Sequence, residues 1–241
     1  MNRHWSLRQL ALLRKHPSGL LLLVQLGGVL LYPTMENTPV GRTLFGVFGI
    51  VVLALALRVV NRSPVLNWVA WLLALPAVAL AIASVMIGDP RLLTWAQLLE
   101  SALYFYTAFG LTVYMLEDDH VSGDELFAAG ATFTVLAWAF AFAFCVCQSW
   151  YPGSFTAGIN PTDPRSWMEL LFLSFSVLSG VGLSDVIPLQ PQARALVMLE
   201  QFAGVMYIAL VVSRLIGLAT SRAVARRDHQ RDHERDRNHP P

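Results

Sequence analysis

The sequence predicts an all-α membrane protein with six transmembrane helices and one half-crossing between the fifth and sixth. Three observations carry that expectation. The chain has 241 residues, 55% hydrophobic and only 14% charged, a balance that a soluble single-core domain does not show. Its apolar runs, apart from a shorter first one, approach or exceed the roughly 20 residues a helix needs to span a bilayer. The segment Trp167 to Asp185, WMELLFLSFSVLSGVGLSD, is apolar but too short to cross, and small residues, one acid and the long run Ala193 to Ala219 follow it. Irregular backbone at membrane depth is tolerated only where protein or a water-filled cavity satisfies its N–H and C=O groups.

The elements follow in order. Residues 1–18 interleave Trp5, Leu7, Leu10, Leu12 and Leu13 with Arg3, Arg8, Arg14 and Lys15, the pattern of an amphipathic segment lying on cytoplasmic headgroups. No small-residue cleavage site follows before Tyr32-Pro33, so the first span, Gly19 to Leu31, is expected to be retained. Pro17 and Pro33 bracket it, and Gln25, its one strongly polar member, is read as a helix-to-helix contact. The second span is expected over Thr43 to Val60, the third over Val65 to Ile87, and the fourth over Leu92 to Met115, with Trp95 and Tyr114 near its ends where amphipathic aromatics favour the interface. The fifth covers Leu126 to Cys147 and the sixth Ala193 to Ala219.

Six crossings put both termini on one side, and the basic clusters at the two ends assign that side to the cytoplasm of an inner, or plasma, membrane. Residues 19–120 thus form a four-helix module, 121–220 a second membrane domain and 221–241 a charged cytoplasmic tail. The tail has almost no apolar residues to bury, so it is either disordered or a solvated helical extension. Its Arg222, Arg226 and Arg227 suit anionic lipid at the cytoplasmic face. Neither basic end resembles a nucleic-acid module, and no nucleic-acid partner is expected.

Candidates for chemistry are few. Cys145 and Cys147 are too close in sequence for an ordinary disulfide and lack the further ligands of a zinc site, so they are read as buried thiols. All six histidines lie outside the apolar spans, which disfavours a membrane enzyme, and no cofactor is implied. The fourth span has no arginine every third residue, so it lacks the charges of a voltage sensor. Its only ionisable residue, Glu100, is read as interfacial, with proton or lipid sensing as the other reading. Before the half-crossing, Gln148 to Arg165 is rich in Pro, Gly, Ser and Thr, as an external turret would be. The short helix expected over Pro164 to Leu178 has Asp163 or Ser166 as its cap, Ser166 standing three residues before Glu169 in the capping-box spacing.

The run SFSVLSGVGLSDVIP resembles the pore loop of tetrameric potassium channels, whose filter is a T-V-G-Y-G strand followed by Asp. Ser174, Phe175, Val181, Gly182, Asp185 and Pro188 fit that pattern. Further on, Arg194, Leu196, Glu200, Gly204, Tyr207, Arg214 and Leu215 resemble the pore-lining helix of bacterial members. The resemblance covers Trp167 to Leu218. It implies a homotetramer in which Gly180, Val181, Gly182, Leu183 and Ser184 form the ion filter, Asp185 stands at the outer mouth and Gly204 is the inner-helix hinge. Ile208, Val212, Ile216 and Thr220 recur every four residues beyond Gly204, on one slowly drifting helix face; the resemblance implies that this face carries cavity and gate, and an ordinary packing stripe is the other reading.

Departures from the family pattern matter equally. Gly180 stands where the family has Thr and removes a ring of hydroxyl ligands, while Leu183 replaces the Tyr that tethers the strand. Ser184 replaces the second glycine, at a cost of about 1–2 kcal/mol if its backbone is left-handed. The implied function is a cation channel passing potassium, and sodium with reduced discrimination. The alternative is a non-conducting relative that keeps the fold as a membrane sensor or assembly platform.

Overall fold

The computed structural model describes residues 17–35, 49, 51–52, 54–56, 58, 67–117 and 123–238. The amphipathic segment predicted over 1–18 lies almost wholly outside them, as does much of the second span. The helices are α1 (Pro17–Met35), α2 (Asn67–Ile87), α3 (Pro90–Glu117), α4 (Gly123–Trp150), α5 (Trp167–Leu178) and α6 (Pro191–Asn238), with a ribbon of β1 (Phe155–Thr156) and β2 (Ile187–Pro188). The described residues of the second span are helical, and Val52 and Ala56 are buried one turn apart.

Local chemistry sets the helix ends. Three helices begin on proline, at Pro17, Pro90 and Pro191, where a missing N–H is no loss and the fixed φ is already helical. The Asp89 carboxylate accepts from the Arg91 N–H at 2.9 Å and caps α3. Pro33, expected to close the first span, lies inside α1, which continues to Met35. It falls in the last turn, where the chain forfeits a single backbone bond rather than a whole ladder.

Among the described residues, three helices are long and apolar enough to cross a membrane: Trp68–Ile87, Phe127–Trp150 and Pro191–Arg214. Helix α1 contributes the shorter apolar stretch Ser18–Pro33. Helix α3 has ample length at 28 residues but is more polar, carrying Gln97 and Glu100. Helix α5 has only 12 residues, about 18 Å of rise against a hydrocarbon core of about 30 Å.

Helix α4 is the hub, packed against α1, α3, α5 and α6. Its alanines at 128, 131, 137, 139 and 141 are buried and let neighbouring backbones approach. A Cβ at Gly130 would lie 2.8 Å from Leu22 Cδ2, so this glycine fixes how near α1 can come. Between the same helices, Gln25 accepts from Thr134 Oγ1 at 2.7 Å and is fully buried, as its reading as a helix contact requires. Ser101 Oγ donates to Ala139 O at 2.8 Å and joins α3 to α4. Trp138 packs edge-on against Tyr104 of α3 and Trp167 of α5. Cys145 and Cys147 are buried free thiols. Of the two readings of the charged tail, the helical one describes the structure, since α6 runs unbroken to Asn238.

Candidate filter and inner helix

The short helix is anchored before it is aimed. Its N-cap is Ser166 rather than Asp163: Ser166 Oγ accepts from Glu169 N at 3.3 Å, and Glu169 Oε2 accepts from Ser166 N at 2.6 Å. The reciprocal pair satisfies two N–H groups left open at a helix start. Beneath it, Arg165 is buried. Its guanidinium donates to Ile159 O at 3.1 Å, to Asp163 O and to Asn160 O, and pairs with Glu169 Oε1 at 3.1 Å. The Gln148 side chain at the end of α4 brackets the Arg165 backbone, donating to its O and accepting from its N, both at 2.8 Å. The turret is therefore folded around one guanidinium.

The other end of α5 runs directly into the predicted filter. The carbonyls of Phe175, Ser176 and Val177 accept from the N–H groups of Ser179, Gly182 and Gly180 at 3.1, 3.1 and 3.0 Å. Gly180 and Gly182 have φ of +74° and +71°, a region that side chains disfavour. The last turn of the helix thus holds the backbone of the candidate filter directly. Gly180, Val181, Gly182 and Leu183 are exposed, Val181 and Leu183 by 70% and 72%.

Ser184 departs from expectation. Among the described residues Asn160 is the non-glycine with positive φ, so Ser184 avoids the left-handed conformation and its strain. Its Oγ accepts from Val186 N at 3.1 Å, a local turn bond of the kind serine favours. Asp185 is exposed beside it and Val186 is buried. The chain beyond is tied to the turret: Phe155 pairs with Pro188 and Thr156 with Ile187. Leu189 N donates to Ser154 O at 2.8 Å, and Gln190 Nε2 to Pro152 O at 2.8 Å.

Helix α6 divides the predicted gate stripe. Gly204 is buried, whereas Ile208, Val212, Ile216 and Thr220 are exposed. A four-residue step overshoots a 3.6-residue turn by about 40°, so the stripe drifts by roughly 160° between Gly204 and Thr220. A Cβ at Gly204 would run into the backbone carbonyl of Leu178, 2.9 Å from its C and 3.0 Å from its Cα. Gly204 is thus where α6 meets the end of α5. One turn earlier, Glu200 is fully buried and its Oε1 contacts Ser174 Oγ of α5. Ser174 Oγ also bonds Ala137 O of α4 at 2.8 Å, and Tyr207 Oη donates to Ala129 O of α4 at 2.5 Å. Neither the Arg165 knot nor the Ser174–Glu200 contact follows from sequence spacing. The available signal was an acid alone in an apolar run, which demands a partner.

A half-length helix that delivers a glycine-turned strand of exposed backbone, beside a long apolar helix, defines a transport protein of the membrane. The family model described as ion channel matches residues 101–221, just over half of the sequence, and the chain belongs to this family of potassium-channel-like cation channels. Comparison with the curated proteins and with the solved structures returned no match.

Proposed function

We propose that the chain assembles as a homotetrameric channel passing potassium, and sodium with reduced discrimination, through filters formed by Gly180, Val181, Gly182, Leu183 and Ser184 of four copies. One observation carries this reading. Residues Gly180 to Leu183 are exposed in the single chain, with the backbone turned at two glycines of positive φ and held by the last turn of α5. Four such strands about one axis would offer peptide oxygens in place of an ion's water shell. The exposed Asp185 would stand at the outer mouth and gather cations. Ile208, Val212 and Ile216, exposed on α6, suit a conduit wall with a hydrophobic constriction, Thr220 at its inner end. In this arrangement the six-span chain sits in the inner membrane with both termini cytoplasmic and anionic lipid at the basic tail. Purified protein in potassium-loaded vesicles tests the reading: potassium efflux with a smaller sodium flux supports it, and vesicles as tight as empty ones overturn it.

Leu183 favours a second reading. It occupies the tethering position of the strand with no hydrogen-bonding group and stands 72% exposed, so the strand is free to widen or collapse. A non-conducting sensor or platform would follow. The triple variant Gly180→Thr, Leu183→Tyr, Ser184→Gly separates the two: current in that variant alone favours the platform, current in both favours the channel.

A further inference from the structure

We infer that Glu200 is a proton-binding site, and that its bound proton completes a latch joining the inner helix α6 through the filter-bearing helix α5 to α4. The hydrogens available at Ser174 require it. Ser174 Oγ touches two groups, Ala137 O and Glu200 Oε1. A hydroxyl has one proton to donate, and a backbone carbonyl has none. With Glu200 ionised, the Ser174 proton serves one acceptor and leaves the other contact as two oxygens with nothing between them. With Glu200 protonated, the carboxyl donates to Ser174 Oγ and Ser174 donates to Ala137 O. Every oxygen in that chain is then satisfied in one direction.

Burial points the same way. Glu200 is 0% exposed, and its second oxygen, Oε2, has no hydrogen-bond partner. A buried carboxylate without a counter-charge is far costlier than a buried neutral acid. No ion pair reaches Glu200 among the described residues. On α5, Glu169 is held by Arg165 at the opposite end of the helix. On α6, Arg194 donates to Pro188 O at 3.3 Å and Tyr207 to Ala129 O. Helix α4 offers the Ala137 carbonyl.

The latch sits where it can act on the filter. Ser174 and Leu178 are one turn apart on α5, and they meet Glu200 and Gly204, one turn apart on α6. The two helices are therefore joined by two rungs in register, one carried by a proton and the other by bare backbone. Between the rungs on α5 lies Ser176, whose carbonyl holds Gly182 N. Loss of the proton to water breaks the Glu200 O–H bond and leaves an anion that competes with Ala137 O for the one Ser174 proton. The charged oxygen is the stronger acceptor, so Ser174 lets go of Ala137 O on α4, two residues from the carbonyl that positions the filter.

The channel reading enters only through the effect on flux, because protonation can be read without current. Infrared spectra of the full chain in lipid at neutral pH are expected to show a carboxylic-acid C=O band that Glu200→Gln removes. Comparison with that variant separates the band from any contribution of Glu100. If Glu200→Gln does not assemble, Ser174→Ala serves instead: it deletes the acceptor and displaces the band. Spectra unchanged by either substitution overturn the proton site. In flux assays, wild-type transport changes as pH rises and the band disappears. Glu200→Gln, whose amide donates to Ser174 as the acid does, should stay at the low-pH level throughout. A pH response that persists unaltered in Glu200→Gln overturns the latch. Vesicles silent at every pH count against the channel, while the band still decides whether Glu200 holds the proton.

Discussion

Three glycines in the same domain should respond to alanine in three different ways. Gly182 has open space around a would-be Cβ but φ of +71°, so Gly182→Ala is expected to cost about 1–2 kcal/mol through backbone strain alone. Because that strain sits in the strand itself, ion flux should fall more than thermal stability. Gly204 has ordinary helical backbone but no room. Gly204→Ala forces α6 off the end of α5 at about 1–3 kcal/mol, visible as an earlier melting transition in detergent. Gly217 has neither constraint, and Gly217→Ala should add up to about 1 kcal/mol of helix propensity. If all three melt alike, the distinction between strain and crowding is wrong. Sequence reasoning located Gly182 and Gly204 through family resemblance but not the cause of either. Crowding at Gly204 depends on the path of Leu178, 26 residues away, and no periodicity carries that. Ser184 failed for the opposite reason: its expected strain assumed the family's backbone, whereas a local bond to Val186 N gives serine a conformation of its own.

At the level of elements, α5 was the most legible part of the chain. Its C-terminal end, its apolar character and the Ser166–Glu169 capping box were all present as spacing, whereas its start lies at Trp167 rather than the expected Pro164, because the cap chosen over Asp163 is the one with a reciprocal partner. Ser166→Ala should cost about 1 kcal/mol. Arg165 was not legible, because a basic residue in a polar turret reads as solvated. Instead it collects the carbonyls of Ile159, Asn160 and Asp163 around one buried charge. Arg165→Met strands those carbonyls and removes the partner of Glu169, whose side chain is 37% exposed, at about 1–3 kcal/mol. Hydrogen exchange should locate the damage: Ser166→Ala frays the first turn of α5, whereas Arg165→Met loosens the turret from Ser154 to Asp163 as well. Equal and purely local effects would remove Arg165 from its organising role.

At the scale of the whole molecule, the cover over α6 is incomplete. Met198, Leu199, Phe202, Val205 and Met206 are exposed in the single chain, on the helix flanking the exposed strand. A fourfold assembly would give part of that surface a partner and the strand an axis. Native mass spectrometry from detergent is expected to give four copies, and a monomer under all conditions would sink the channel. Helix α6 also has a reach that composition hid, since its polar end was open to two readings. At 48 residues it extends about 72 Å, more than twice a bilayer's hydrocarbon thickness of about 30 Å. Its first half carries Glu200 and Gly204, the two rungs against α5, and its second half stands beyond Arg214, where the apolar stretch ends. Because one unbroken helix joins the two halves, a pull on the polar end would be carried along it toward the contacts with α5.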